Sequence, residues 1–181
     1  MREFIAIWNK KVVVDARVGV LLVTLGGLVS CTTDEPRNAP ALELDTLDGE
    51  TMTLEEAGAE VVLVNFWASW CAPCRQEMPE LEAMYQNYQD QGLTVWGISV
   101  DALPENARHF ADEVGVTYPL LLDEDMATAE AWDIRAMPST FVIDAEGDIR
   151  HTELGYAPET MEALEERIRA LLAQGQGEHF E

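Results

Sequence analysis

Blocks of apolar and polar residues along the chain predict strands and helices in turn. Residues 61–67 (VVLVNFW) are a nearly unbroken apolar run, rich in β-branched and aromatic side chains, which is typical of a central strand buried on both faces. Residues 93–100 are predicted as the next apolar strand. Residues 41–47 alternate apolar and polar, as in a strand with one exposed face. Shorter strands are predicted at residues 118–122, 139–144 and 149–153, the last two joined by a Glu-Gly-Asp turn.

Helical spacing predicts the elements between these strands. Over residues 74–91 apolar side chains recur every three or four positions, and Gly92 follows as a stop signal. Further helices are predicted at residues 104–114, 125–132 and 158–173, with a single helical turn at 54–57. Alternating strands and helices that end in a hairpin and a closing helix predict an α/β fold. Its mixed central sheet should be covered by helices on both faces.

The first thirty residues have the form of a secretory signal peptide. Four basic residues precede an uncharged run at 18–30, which is too short to span a bilayer comfortably as a permanent helix. The run ends Leu-Val-Ser-Cys, which resembles the lipobox of bacterial lipoproteins and implies cleavage before Cys31 and lipid on its thiol. A buried cysteine in an uncleaved anchor helix is the alternative. We therefore predict a signal peptide at 1–30, a lipidated tether at 31–40, a domain at 41–174 and a tail at 175–181.

The chain is strongly acidic. It has a net charge of −23, and without residues 1–30 it would carry seven basic and 32 acidic side chains and a net charge of −25. Such a surface repels nucleic acid and anionic lipid headgroups, so a nucleic-acid partner is not expected. We interpret the charge as a solvated acidic surface.

Cys71 and Cys74 stand two residues apart, and three kinds of chemistry are open to them. A zinc site needs three or four protein ligands, but there is no second Cys-x-x-Cys and the three histidines are scattered, so no metal site is expected. A structural disulfide would enclose only two residues and constrain the unfolded chain very little. The remaining chemistry is redox exchange, which a Cys-x-x-Cys pair at a strand-to-helix junction favours.

The predicted helix gives the two cysteines different roles. Cys71 should lie just before the helix, where free amide groups and the helix dipole favour a thiolate, so it should be the nucleophile. Cys74 lies in the first turn and should resolve the mixed disulfide. Pro73 removes an amide hydrogen and fixes φ, and should help to set the redox poise of the pair.

Two segments together resemble thioredoxin-fold proteins: VNFWASWCAPCRQEMPEL around the cysteine pair, and AMPSTFVIDAEGDI at 136–149. The resemblance covers about residues 40–173 and is closest to the membrane-anchored extracytoplasmic group typified by TlpA and ResA. It implies a three-layer thioredoxin-like fold and a cis Pro138 that faces the disulfide. It also implies that the Met137 backbone pairs with an incoming polypeptide and that Trp70 shapes the contact surface.

A carboxyl group is also implied near the cysteines. Glu77 falls where ResA-like relatives carry an acidic residue that tunes the active-site thiols, although a glutamate in a first helical turn also complements the helix dipole. Cytoplasmic thioredoxins carry a buried aspartate where this chain has Asn65. Because an amide cannot titrate, Glu77 is the expected substitute as proton acceptor.

The leading hypothesis is an envelope-facing, lipid-anchored thiol–disulfide oxidoreductase that reduces exported proteins and needs no cofactor. Because that compartment is oxidising, a membrane electron donor of thiol type should regenerate the dithiol. The resemblance implies apocytochrome c cysteines or copper-handling proteins as substrates. Two alternatives stay open: a peroxiredoxin-type peroxidase, and a module that holds Cu(I) between Cys71 and Cys74.

Overall fold

The computed structural model describes residues 37–178. A mixed sheet forms the centre of the fold. The predicted signal peptide and Cys31 lie outside the described residues. The strands are β1 Arg37–Asn38, β2 Glu43–Asp45, β3 Thr51–Thr53, β4 Val61–Trp67, β5 Leu93–Ser99, β6 Leu120–Leu122, β7 Ser139–Asp144 and β8 Asp148–Leu154. The helices are α1 Cys74–Tyr88, α2 Pro104–Val114, α3 Ala127–Ala131 and α4 Pro158–Glu178, with short 3-10 turns at Leu54–Glu56 and Gln89–Gln91.

Six strands form the main sheet in the order β1-β8-β7-β4-β5-β6. Strands β4, β5 and β6 are parallel, β7 is antiparallel to β4, and β8 is antiparallel to β7. All seven residues of β4 are buried, as expected for a central strand covered on both faces. Strands β2 and β3 form a separate antiparallel pair, and Thr46 bridges from it to Leu121 of β6.

Helices cover both faces of the sheet, as predicted. On one face, Asn65 of β4 donates a hydrogen bond to Glu77 of α1. Trp67, two residues later on the same face, stacks on Phe110 of α2 with ring centroids 5.2 Å apart. Side chains alternate along a strand, so Phe66 points to the opposite face. There it meets Trp132, which directly follows α3, at 5.5 Å. The fold is therefore the three-layer, thioredoxin-like α/β arrangement that the sequence predicts.

The closing helix α4 lies beside α1. The hydroxyl of Tyr88, the last residue of α1, donates a hydrogen bond of 2.6 Å to the Glu165 carboxylate of α4. Buried side chains of α4, including Leu164 and Ile168, belong to the same core cluster as β4. In the part of the chain that the structure describes, no helix is long and apolar enough to cross a membrane.

The observed elements differ from the prediction at several ends. Within the predicted tether, Arg37 and Asn38 pair with β8 through backbone hydrogen bonds; both are exposed, so no apolar pattern marks them. Strand β6 begins at residue 120 rather than 118, after a proline that cannot donate to a ladder. Helix α3 begins at residue 127 because Met126 has a left-handed φ of 61°. Helix α4 continues to residue 178, into the predicted tail.

Candidate active site

Cys71 and Cys74 form a disulfide in the connection between β4 and α1, with their Cα atoms 5.3 Å apart. Cys74 is fully buried as the first residue of α1, whereas Cys71 is 5% exposed. Trp70, directly before Cys71, is 71% exposed. Cys71 is thus the cysteine that solvent and an incoming disulfide can reach.

The first turn of α1 directs its amide groups toward Cys71. The N–H of Cys74 donates to Cys71 Sγ at 3.2 Å. Pro73 caps the helix with helical φ and ψ, and its carbonyl accepts from the amides of Gln76 and Glu77. The first amides of a helix have no partner inside the helix and carry partial positive charge, which stabilises an anion at this position. A thiolate on Cys71 would therefore be stabilised by this turn.

A buried carboxylate holds the loop that carries Trp70 and Cys71. Asp101, just beyond β5, accepts the Ser69 N–H at 2.8 Å on Oδ2 and the Ser69 hydroxyl at 2.7 Å on Oδ1. Ser99 donates to the same carboxylate at 2.9 Å. Asp101 is only 4% exposed, so these hydrogen bonds fix the loop two residues before the nucleophile. Asp101 was not predicted as a site residue; a polar residue directly after an apolar strand was its only signal.

Glu77 lies beneath the cysteine pair in a buried polar network. Its carboxylate accepts from Asn65 Nδ2 at 2.8 Å and from the Thr140 hydroxyl at 2.9 Å, and Asn65 also donates to Thr140. All three side chains are fully buried. Burial raises the pKa of Glu77 from 4.5 to about 7, against the two hydrogen bonds, which lower it. The carboxyl of Glu77 can therefore bind or release a proton near neutral pH.

Asn65 keeps one buried polar atom without a partner. Its Oδ1 accepts no hydrogen bond from the described residues, although its Nδ2 donates twice.

Thr140, like Asp101, was not predicted. It comes from β7, 63 positions from Glu77, and no spacing in the sequence joins the two.

The Met137–Pro138 peptide bond is cis, as the resemblance implies. Pro138 is buried directly before β7, and β7 begins opposite the end of β4, so Pro138 lies at the same end of the sheet as the cysteine pair. Its carbonyl accepts the Gly155 N–H at 2.8 Å. Met137 is half-buried beside it. Of the predicted site residues, the structure brings Cys71, Cys74, Glu77, Trp70, Pro73, Met137 and Pro138 to this end; Cys31 lies outside the described residues.

Among residues 37–178, no group of three or more histidine, cysteine, aspartate or glutamate side chains is placed to hold a metal ion.

The fold and the cysteine pair assign this chain to the class of thiol–disulfide oxidoreductases. ResA of Bacillus subtilis, a thiol-disulfide oxidoreductase, is 30% identical over 127 residues, which are 70% of this chain and 71% of ResA. The thioredoxin-like protein YneN of the same organism is 37% identical over 124 residues, 67% of this chain and 72% of YneN. The model of the AhpC/TSA family matches residues 36–152, and the chain belongs to that family.

A solved structure agrees with the assignment. A thiol:disulfide interchange protein of the thioredoxin family from Chlorobium tepidum superimposes with a TM-score of 0.66 at 26% identity. The match covers 76% of this chain and 97% of that protein.

Proposed function

We propose that this chain is a lipid-anchored reductase of disulfides in exported proteins, with Cys71 as the nucleophile and Cys74 as the resolving cysteine. The observation that carries the proposal is the hydrogen bond from the Cys74 amide to Cys71 Sγ at the start of α1. It gives one sulfur of the pair a stabilised thiolate, and the more exposed position of Cys71 gives the same sulfur access to a substrate.

The reaction transfers two electrons from the dithiol to the substrate. The Cys71 thiolate attacks one sulfur of the substrate disulfide, forms a mixed disulfide, and releases the other sulfur as a thiol that takes up a proton. Cys74 then loses its proton, attacks Cys71 Sγ and releases the second substrate thiol. The product is a reduced substrate and the Cys71–Cys74 disulfide seen in this structure.

Glu77 is the proposed proton acceptor for Cys74. The two residues are three positions apart on α1, and positions with that separation are neighbours on a helix surface. A carboxyl with a pKa of about 7 matches the task of taking a thiol proton at neutral pH and releasing it afterwards. Asn65, which cannot titrate, holds the carboxylate in place.

The cellular setting is part of the proposal. A lipid on Cys31 would hold the domain at the outer side of the cytoplasmic membrane or in the periplasm, and a thiol-type membrane donor would return electrons to the oxidised pair. Proteins exported to that compartment, including apocytochromes c, are the candidate substrates. The supports are the resemblance at residues 28–31 and the similarity to ResA.

Two cysteine variants test the chemistry. The reduced full-length chain in mild detergent should reduce an oxidised model protein, and Cys71→Ser should abolish the reaction. Cys74→Ser should instead accumulate a mixed disulfide that is visible on a non-reducing gel and released by dithiothreitol. Undiminished reduction by Cys71→Ser would refute the proposal. Rapid consumption of hydrogen peroxide, faster than disulfide reduction, would favour the peroxidase in its place.

The reduction potential decides the direction of the exchange. Equilibration of Cys71 and Cys74 against a graded thiol buffer should give a value near that of thioredoxin, about −270 mV or lower. A value near about −120 mV would make the protein an oxidant, and the reaction above would run in reverse.

A further inference from the structure

Glu77 is shielded from solvent, yet its proposed role requires it to exchange a proton in every catalytic cycle. Its side chain is fully buried beneath the cysteine pair. Solvent reaches this pair at Cys71, which is 5% exposed, but a substrate in a mixed disulfide with Cys71 covers that opening. This is the moment at which Cys74 gives up its proton. A proton on Glu77 therefore needs a second route to solvent.

A row of polar side chains leads from Glu77 across the main sheet. Asn65 of β4 is paired with Thr140 of β7, and Thr140 is paired with Glu153 of β8. Side chains of directly paired residues lie on the same face of a sheet, with their Cβ atoms about 5 Å apart. This is the face that α1 covers, because Asn65 and Thr140 both donate hydrogen bonds to Glu77. The row therefore extends from the buried carboxyl to β8.

A glutamate and a histidine form the outer end of this row. His151 lies two residues before Glu153 on β8, so the two side chains share a face. His151 Nε2 is 3.5 Å from a carboxylate oxygen of Glu153, and each side chain is 21% exposed. Burial is the main cause of the raised pKa of Glu77, and the negative charge of Glu153 raises it further. Glu153 and His151 are thus in reach of solvent, and Glu153 is close enough to Glu77 to influence its ionisation.

The other ionisable side chains that face Glu77 are less suited to carry its proton. Glu80 of α1 acts on the pKa of Glu77 in the same direction as Glu153, but its carboxylate accepts the hydroxyl of Tyr156. That hydrogen bond raises the pKa of Tyr156, and burial raises the pKa of Tyr118, so both phenols keep their protons at neutral pH. Glu153 is paired instead with a histidine, the side chain whose ordinary pKa lies closest to neutrality.

We propose that Glu153 and His151 carry the proton of Glu77 to solvent while Cys74 resolves the mixed disulfide. The inference rests on the function proposed above. Cys74 releases its proton to Glu77, and Glu77 passes it to the Glu153 carboxylate. The imidazole of His151 takes the proton from Glu153 and releases it to water or buffer. One proton moves in the opposite direction when a thiol donor reduces the Cys71–Cys74 disulfide.

Chemical rescue tests this route. The reduced full-length chain in mild detergent reacts once with an oxidised model protein in dilute buffer at neutral pH, and acid-quenched samples on a non-reducing gel show the mixed disulfide. Its formation reports attack by Cys71, and its decay reports resolution by Cys74. In Glu153→Gln and in His151→Gln, formation should keep the wild-type rate, whereas decay should be slower by about tenfold or more, because the route is interrupted. Concentrated imidazole should restore most of the decay rate in His151→Gln, because the free base replaces the missing side chain.

The matched control is Glu80→Gln. It removes the other carboxylate that acts on Glu77 but leaves Glu153 and His151 in place, so decay should stay close to the wild-type rate in dilute buffer. Wild-type decay in both route variants, a loss in His151→Gln that imidazole does not reverse, or equal slowing in Glu80→Gln would overturn the inference and leave the reductase intact. Failure of the wild type to reduce the model protein would instead overturn the proposed function itself.

Discussion

Replacing Glu77 by glutamine should stabilise the oxidised protein at neutral pH, and the gain should vanish in acid. The Glu77 side chain is fully buried. Burial is the largest influence on its pKa and raises it to about 7, while the hydrogen bonds from Thr140 and Asn65 lower it. Glutamine has the same shape as the protonated acid and carries no charge at any pH, so the substitution isolates the effect of ionisation.

The magnitude follows from the two pKa values. The carboxyl has a pKa of 4.5 in the unfolded chain and about 7 in the folded protein. Below pH 4.5 it is protonated in both states and has no effect on the pH dependence. Between pH 4.5 and 7 the unfolded chain releases the proton and the folded protein keeps it, so the free energy of unfolding falls as pH rises. Above pH 7 the full loss, about 3 kcal/mol, is present.

Urea unfolding of the oxidised wild type and of Glu77→Gln, measured from pH 4 to pH 8, tests this reasoning. The two proteins should be about equally stable at pH 4, and the variant should be more stable by up to about 3 kcal/mol at pH 8. Hydrogen bonds that glutamine cannot reproduce would lower both values by the same amount, so the change with pH is the quantity to measure. A stability difference that is constant across the range would refute the raised pKa.

Glu82 on the same helix offers a control of opposite sign. Partial burial is the largest single influence on the pKa of Glu82 and raises it. Hydrogen bonds from the Thr117 backbone and hydroxyl and from Gln86 together outweigh burial, so the pKa is lowered. A lowered pKa contributes stability above the unfolded value that is lost as pH falls. Glu82→Gln should therefore lose stability at neutral pH and approach the wild type in acid.

Three further changes test other parts of the molecule. Asp101→Asn should lower kcat/KM for disulfide reduction several-fold without loss of folding, because an amide cannot accept both hydrogen bonds from Ser69; an unchanged rate would show that the loop needs no such support. Gly97→Ala should lower the free energy of unfolding in urea by about 1–3 kcal/mol, because its Cβ would lie 2.7 Å from Leu120 Cδ2, and equal midpoints would contradict this close contact. Cys31→Ala should abolish the incorporation of labelled fatty acid that the wild-type chain shows, because the acylated thiol is gone; equal incorporation by the variant would argue against a lipid on Cys31.

The parts of the fold that could be predicted are those whose burial leaves a periodic pattern. The runs at β4 and β5 and the apolar positions of α1 exist because tertiary packing requires them, and their bounds differ little from the prediction. Strand β1 is held by backbone hydrogen bonds of two exposed residues, and β3 by a three-residue pairing. Backbone hydrogen bonds form with almost any side chain, so the sequences of such strands show almost no apolar pattern.

The site residues fall into the same two groups: those that a local pattern predicts and those that only the fold brings together. The relative positions of Cys71, Cys74 and Glu77 follow from short spacing around the start of α1, and the role predicted for Glu77 comes from the family resemblance. Asp101 and Thr140 reach the same place from β5 and β7, and only the order of strands in the sheet brings them there.

Asn65 stands where cytoplasmic thioredoxins carry a buried aspartate. The hydrogen bonds of its amide explain why an uncharged residue fits this position. While Glu77 is ionised, Asn65 donates to the carboxylate through Nδ2, and its Oδ1 has no donor among the described residues. When Glu77 takes up a proton, the new O–H requires an acceptor, and an amide side chain offers both a donor and an acceptor. One amide can thus serve both protonation states of Glu77, whereas an aspartate would place a second negative charge beside the first and raise one of the two pKa values of the pair. A titratable carboxyl on α1 is therefore best paired with an uncharged residue on β4, and asparagine is uncharged at every pH.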